Sequence, residues 1–215
     1  MLIYIIRHGE TRCNAEGRIQ GWSNDPLNEN GIALAEITGK RMAGIRFDAC
    51  ISSPLLRARQ TAEIILRESG NGDVPIRFDD RIKEVSMGEW EQKKIRPGER
   101  EIPEEVIRPF FIDPFQFAGF PGGETTGQVC RRTQEFLKEL AAADDGKTYL
   151  VATHGFALRA MLNFLYEDPK DFWHKHVPYN CVVNILEAKD GELRLIEDDK
   201  IFYDADDIVD QYQKF

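Results

Sequence analysis

MLIYIIRHGET, Met1–Thr11, decides how the rest of the chain reads. Leu2–Ile6 is an unbroken apolar run of strand length. It lacks polar alternation, which suits a strand buried on both faces of a sheet. The run stops at Arg7, His8 and Gly9. In open α/β sheets the carboxyl ends of the strands are where ligands bind. Gly9 allows a sharp turn and a close approach of backbone to a ligand.

The same grammar recurs twice. Phe47–Ile51 is a short apolar strand, followed by Ser52-Ser53-Pro54 and the amphipathic run LLRARQTAEIILRES. Serine followed by proline predicts a helix start, with proline at the first helical position. Leu55, Ala58, Ala62, Ile65 and Leu66 mark the buried stripe. Arg57 lies in the first turn, where free N–H groups and the dipole already favour an anion. Thr148–Ala152 is a further buried strand, ending in Thr153-His154-Gly155 before a helix over Phe156–Tyr166. A parallel sheet sets all these turns on one edge and gathers Arg7, His8, Arg57 and His154 there.

Between these units the chain reads as follows. Thr11–Gly31, rich in Gly and Asn, predicts a loop. Its amides Asn14 and Gln20 either meet an anion or close the loop on itself. A helix is predicted over Ile32–Ile45, a strand over Val74–Phe78, a helix over Glu124–Ala143, and a hairpin from Cys181–Glu187 and Glu192–Glu197 around Asp190-Gly191. Glu84 follows the third strand. The last fifteen residues read as a short acidic helix. Residues 91–123 hold five of the ten prolines and five of the thirteen phenylalanines. They read as a lid-like insertion packed through its aromatics, with one or two phenylalanines lining a pocket.

Totals narrow the class. The 215 residues suit one α/β domain over 1–215, and 42% hydrophobic with 30% charged residues is a soluble balance. A net charge of −9 argues against nucleic acid or an anionic membrane as partner, while leaving an anionic small molecule that meets a local arginine cluster. No apolar run reaches spanning length, and the opening strand leaves no room for a signal peptide. The four cysteines form no C-x-x-C pair, so the expectation is reduced thiols in a cytoplasmic protein. No Asp/Glu/His cluster suggests a metal, and no cofactor is implied.

Two histidines, two arginines and a carboxylate suit phosphoryl transfer. Guanidinium forks hold the equatorial oxygens, a neutral imidazole attacks phosphorus, and a carboxylic acid protonates the leaving oxygen.

RHGET (Arg7–Thr11) resembles the signature of the histidine phosphatase superfamily, the phosphoglycerate-mutase-like proteins. The match continues through Asn14, GRIQG (Gly17–Gly21), DPL (Asp25–Leu27), SSPLLRARQTAE (Ser52–Glu63), Glu84 with GEW (Gly88–Trp90), GGE (Gly122–Glu124) and THG (Thr153–Gly155). The resemblance implies a three-layer αβα sandwich with a mostly parallel sheet. It implies His8 as the phosphorylated nucleophile, Arg7, Arg57 and His154 around the phosphate, and Glu84 as proton donor. Asn14, Gln20, Gly21 and Gly155 are implied as further phosphate or substrate contacts. Two positions depart from the family pattern: Gln92 follows Trp90-Glu91 where phosphatases often carry glycine, and Asn24 stands where aspartate is common. The segment after Glu84, Val85–Trp90, resembles the phosphatase branch. The expected function is therefore hydrolysis of a small phosphate ester. The alternatives are a phosphoglycerate mutase, for which Lys93, Lys94, Arg96, Arg100 or Arg108 would meet a second anion, and a non-catalytic phospho-ligand binder.

Overall fold

A computed structural model of the chain describes residues 1–174 and 176–204. The final helix expected in the last fifteen residues falls largely on 205–215, outside the described residues; residues 201–204 are not helical. The strands are β1 (Leu2–Arg7), β2 (Ala49–Ser52), β3 (Ile76–Phe78), β4 (Thr148–Thr153), β5 (Val183–Lys189) and β6 (Glu192–Lys200). They form one sheet in the order β3-β2-β4-β1-β5-β6. β1 to β4 run parallel to one another, while β5 and β6 add an antiparallel edge.

Side-chain alternation along the strands builds the layers. Ile6, Leu150 and Ala152 face one side, packing on Leu34 and Ala35 of α2 (Glu29–Arg41) and on Ala58, Ala62 and Ile65 of α3 (Leu56–Glu68). Ile3, Ile5 and Val151 face the other, against Phe136 and Leu137 of α5 (Thr126–Ala142) and Leu158 and Met161 of α6 (Gly155–Leu162). Helices therefore cover both faces, as the αβα expectation requires. A separate cluster joins residues 91–123 to this frame. Ile95, Ile102, Phe110 and Phe120 pack with Phe156 and Phe172, and α4 (Glu104–Ile112) carries Phe110 into stacked contact with Phe156.

Several boundaries shift for reasons of capping. The long loop contains a one-turn helix, α1 (Arg12–Ala15), closed by a Thr11/Asn14 capping box. α2 begins at Glu29 rather than Ile32, because the Asn28 side chain accepts from the Gly31 N–H (2.8 Å). It ends at Arg41, so Ile45 lies beyond it and Ile37 is exposed. Gly39 costs this helix propensity but brings it close to α3: a Cβ there would lie 2.7 Å from that of Glu68. The serine-proline start of α3 is corrected. Its N-cap is Leu55, without a side-chain cap bond of its own, and the first helical N–H, of Leu56, donates instead to Asn24 Oδ1 (2.7 Å) from the loop. α6 stops at Leu162 and continues as a 3-10 turn to Leu165. At the hairpin Asp190 and Gly191 both have positive φ (53° and 80°), the primed turn that follows the strand twist. Among the described residues no helix is long and apolar enough to cross a membrane.

Candidate active site

The carboxyl edge of the sheet assembles the predicted residues. His8 follows β1, and its N–H donates to Thr153 O at the end of β4 (3.0 Å). Ser53 follows β2 and donates its N–H to Ala152 O (2.9 Å), which ties that turn to the same edge. His154 follows β4, with its ring 5.2 Å from that of His8, centroid to centroid.

His8 is buried and fixed in one tautomer. Its Nδ1 lies 2.6 Å from Gly9 O, a pure acceptor, so Nδ1 carries the proton. Its Nε2 is therefore unprotonated, and its lone pair accepts from Arg57 Nε (3.2 Å). Burial, then the charges of Arg57 and Arg7, hold the ring well below the ordinary imidazole value, so it is neutral. Arg57 is fully buried, with Nη1 donating to Ser23 O and Nη2 to Gly21 O (2.7 Å each), and burial lowers its pKa to about 10. Arg7 donates to Pro178 O, and Gly155 leaves room for its guanidinium: a Cβ there would lie 3.3 Å from Arg7 Nε. His154 meets Ser53 Oγ through Nε2 (2.8 Å), and burial followed by Arg57 keeps it neutral.

Glu84 is buried at the N-terminus of α6. Its Oε1 accepts from Val85 N–H and Ala157 N–H (2.9 Å each), and Oε2 from Phe156 N–H (3.2 Å). His154 supplies no side-chain cap to α6, so this carboxyl serves the open helix end. Burial raises its pKa despite those donors, which favour the anion.

An open cavity lies over this edge. Arg7, His8, Asn14, Gln20, Glu84 and Gly155 give it a polar floor. Ile19, Met87, Phe110, Phe111, Phe156 and Trp173 give it apolar walls. Two of the five phenylalanines in residues 91–123 thus line a pocket, and the others pack. Arg57 and His154 lie behind His8, with no exposed surface.

Two expected ligand contacts are otherwise engaged. Gly21 is not on the cavity; its N–H donates to Glu91 Oε2 (3.0 Å) and its carbonyl holds Arg57. Gln20 lines the floor, but its Oε1 accepts from Thr11 Oγ1 and its Nε2 donates to Asp25 (3.1 Å), so its amide closes the loop. Asn14 Oδ1 accepts from Thr11 N–H (3.1 Å).

The two departures from the family pattern have local consequences. Gln92 adopts φ 62°, where glycine is at ease, and its side chain donates to Asp25 (3.0 Å). Asn24 is the cap of α3 already described.

Several supporting residues carried no signal in the sequence. Thr61 accepts from Gly9 N–H (3.0 Å) and donates to Arg57 O (2.7 Å); Asn180 donates to His8 O (3.0 Å). Ser53 was expected as a helix cap, and its contact to His154 joins two segments 101 residues apart.

Comparison with known proteins identifies the family and the fold. Residues 3–198 match the model of the histidine phosphatase superfamily (branch 1). A curated relative from Salmonella choleraesuis, "Probable phosphoglycerate mutase GpmB", is 32% identical over 190 residues, 88% of this chain and 86% of its own. Among solved structures, Bacillus stearothermophilus YhfR superposes with TM-score 0.84 at 31% identity, covering 93% of this chain and 97% of that one. An Entamoeba histolytica phosphoserine phosphatase, solved in complex with 3-phosphoglyceric acid, superposes with TM-score 0.77 at 26% identity, covering 93% and 96%. The chain belongs to the histidine phosphatase superfamily.

Proposed function

We propose that this member of the superfamily is a phosphomonoesterase that hydrolyses a small phosphate ester through a phosphohistidine on His8. The observation that carries the reading is the placement of the His8 ring: on the cavity, with Nδ1 against Gly9 O and Nε2 beside Arg57 Nε. In the proposed first step the Arg57 Nε–H leaves Nε2 for a phosphoryl oxygen, Nε2 attacks phosphorus with the freed lone pair, the P–O bond to the alcohol breaks, and Glu84 gives its proton to the departing oxygen. In the second, water attacks phosphorus and yields a proton to Glu84, and the P–N bond returns its electron pair to Nε2. Arg7 at the cavity and Arg57 from beneath it would oppose the charge on the equatorial oxygens, with Asn14 and the amide of Gly155 as further donors and the neutral, buried His154 backing His8. Arginine and amide donors answer the charge in this scheme, so no metal ion enters it.

The mutase alternative has the name of the curated Salmonella relative in its favour. A phosphoglycerate adds a carboxylate, which needs a second cation. Among the described residues Arg7 is the only cationic side chain lining the cavity. The basic residues of 91–123 are turned to other tasks. Lys94 pairs with Glu99 (2.9 Å), Arg100 with Glu104 (2.7 Å), and Lys93 approaches Glu101 (3.9 Å). Arg96 donates to Ala15 O (2.6 Å), and Arg108 is exposed. Apolar walls favour an alcohol portion without a second anion. Residues 91–123 act in this reading as a lid whose Phe110 and Phe111 meet that portion.

A screen of phosphate esters scored by inorganic phosphate release tests the proposal. Release from esters with apolar alcohols, without interconversion of 2- and 3-phosphoglycerate, is expected. Interconversion outpacing phosphate release would favour the mutase.

A further inference from the structure

Arg132, on α5, divides a complete set of guanidinium donors between the segment that carries Glu84 and the carboxylate of Glu124. Nη1 donates to Arg81 O (2.7 Å) and Lys83 O (2.6 Å). Nη2 donates to Glu84 O (2.9 Å) and Glu124 Oε2 (2.8 Å), and Nε to Glu124 Oε1 (2.9 Å). A guanidinium has five N–H groups, and each has a partner here. Glu124 extends the grip: its Oε2 accepts from Ser86 N–H (3.0 Å) and its own N–H donates to Ser86 O (3.0 Å). Gly123 permits this approach, since a Cβ there would lie 2.4 Å from Ser86 O. Both ionic side chains keep only 17% of their surface exposed.

Apart from Arg81, which lies in a 3-10 turn, the clamp acts on irregular backbone. Residues 83–87 lie between two 3-10 turns and belong to no strand or helix. Their backbone is held instead by Arg132 and Glu124 on one side and by Trp22 Nε1, which also donates to Glu84 O (2.8 Å). The carboxyl of Glu84 then projects to the cavity floor.

We infer that Arg132, bridged to Glu124, is a positioning residue that sets the carboxyl of Glu84 against the leaving oxygen. It touches neither substrate nor the reacting phosphorus. The inference rests on Glu84 being the proton donor, as proposed above. Its loss should mimic a weakened acid: severe where the departing alkoxide is a strong base, slight where the leaving group departs unaided. A general loosening of the site would slow both alike.

The test compares first-step rates, in single turnovers, for an alkyl phosphate and p-nitrophenyl phosphate. Glu84→Gln is the benchmark. Arg132→Ala should slow the alkyl phosphate by about 10²-fold, the scale of a 1 Å misplacement, and p-nitrophenyl phosphate by less than about threefold. Arg132→Lys should not rescue, because an ammonium offers three donors from one point and cannot span these acceptors. Glu124→Gln should show the same selectivity in milder form. If Arg132→Ala fails to fold, the lysine and glutamine variants read the same ratio. Equal losses on both substrates, or no loss on the alkyl phosphate, overturns the inference. If Glu84→Gln itself shows no selectivity, the assignment of the acid has failed instead.

Discussion

Arg57 Nε donates to His8 Nε2 across 3.2 Å, beneath the floor of the cavity. This contact does two things. It excludes a proton from Nε2, and it aims a buried cation at the atom where a phosphoryl group would be carried. Arg59, two residues on, is exposed and pairs with Glu63 (2.7 Å). Arg57→Ala should therefore lower kcat/KM by about 10²–10³-fold, the cost of losing an oriented donor to a developing anion. Arg59→Ala should stay near wild type, since an exposed pair contributes little. Steady-state kinetics on one phosphate ester reads both, and equal losses would contradict the assignment.

The rate should have an acid-side optimum. Burial with Arg57 and Arg7 depresses His8, and burial raises Glu84. On the proposed scheme kcat/KM for an alkyl phosphate rises with pH as His8 loses its proton. It falls as Glu84 loses its own. Glu84→Gln should abolish the falling limb that this residue supplies. A rising limb centred at or above about pH 6.5, the free imidazole value, would show that His8 is not held neutral as described.

Stability should fall on acidification. His8 and His154 both have depressed values in the folded state. Between those values and about 6.5 the unfolded chain binds more protons, so each histidine makes unfolding easier as pH drops through that window. Glu84, raised in the folded state, has the opposite sign: its contribution is present at low pH and lost as pH rises. The histidine effect is isolated by His154→Gln, which should flatten the dependence of Tm between pH 7 and pH 5. An unchanged slope would mean that His154 titrates alike in both states.

Activity on p-nitrophenyl phosphate should survive dialysis against EDTA. The anion is met in the proposed scheme by guanidinium and amide donors, and among the described residues no three His, Cys, Asp or Glu side chains stand together as a metal cage. Loss on chelation, restored by magnesium or manganese, would overturn that scheme.

What was legible in the sequence was the repeated unit of buried strand, turn and basic residue. His8, Arg57 and His154 each follow an apolar run whose partners are parallel strands, so local pattern and sheet topology together bring them to one edge. Glu84 was legible only through its family resemblance, because it ends no regular element and reaches α6 from a loop 72 residues away. Partners supplied from far along the chain were not legible. Asn24 displaces serine as the cap of α3, and Glu91 takes the N–H of Gly21 that was expected to meet phosphate. Nothing in the sequence sets Arg132 apart from the other polar residues of its helix. Its role lies in five acceptors, three of them backbone carbonyls 48 to 51 residues away and two the carboxylate oxygens of Glu124. Periodicity reports which face of a helix is apolar, and says nothing of which polar side chain reaches across to a distant carbonyl.

The central claim is that His8 Nε2 carries the phosphoryl group during turnover. Rapid quench of the enzyme with a phosphate ester, followed by intact-mass and peptide analysis under basic conditions, tests it most directly. The expected result is one acid-labile phosphate per chain, located on His8, formed and lost at rates that account for turnover, and absent in His8→Ala. An acid-stable phosphate on a serine, or turnover by His8→Ala at the wild-type rate, would contradict it.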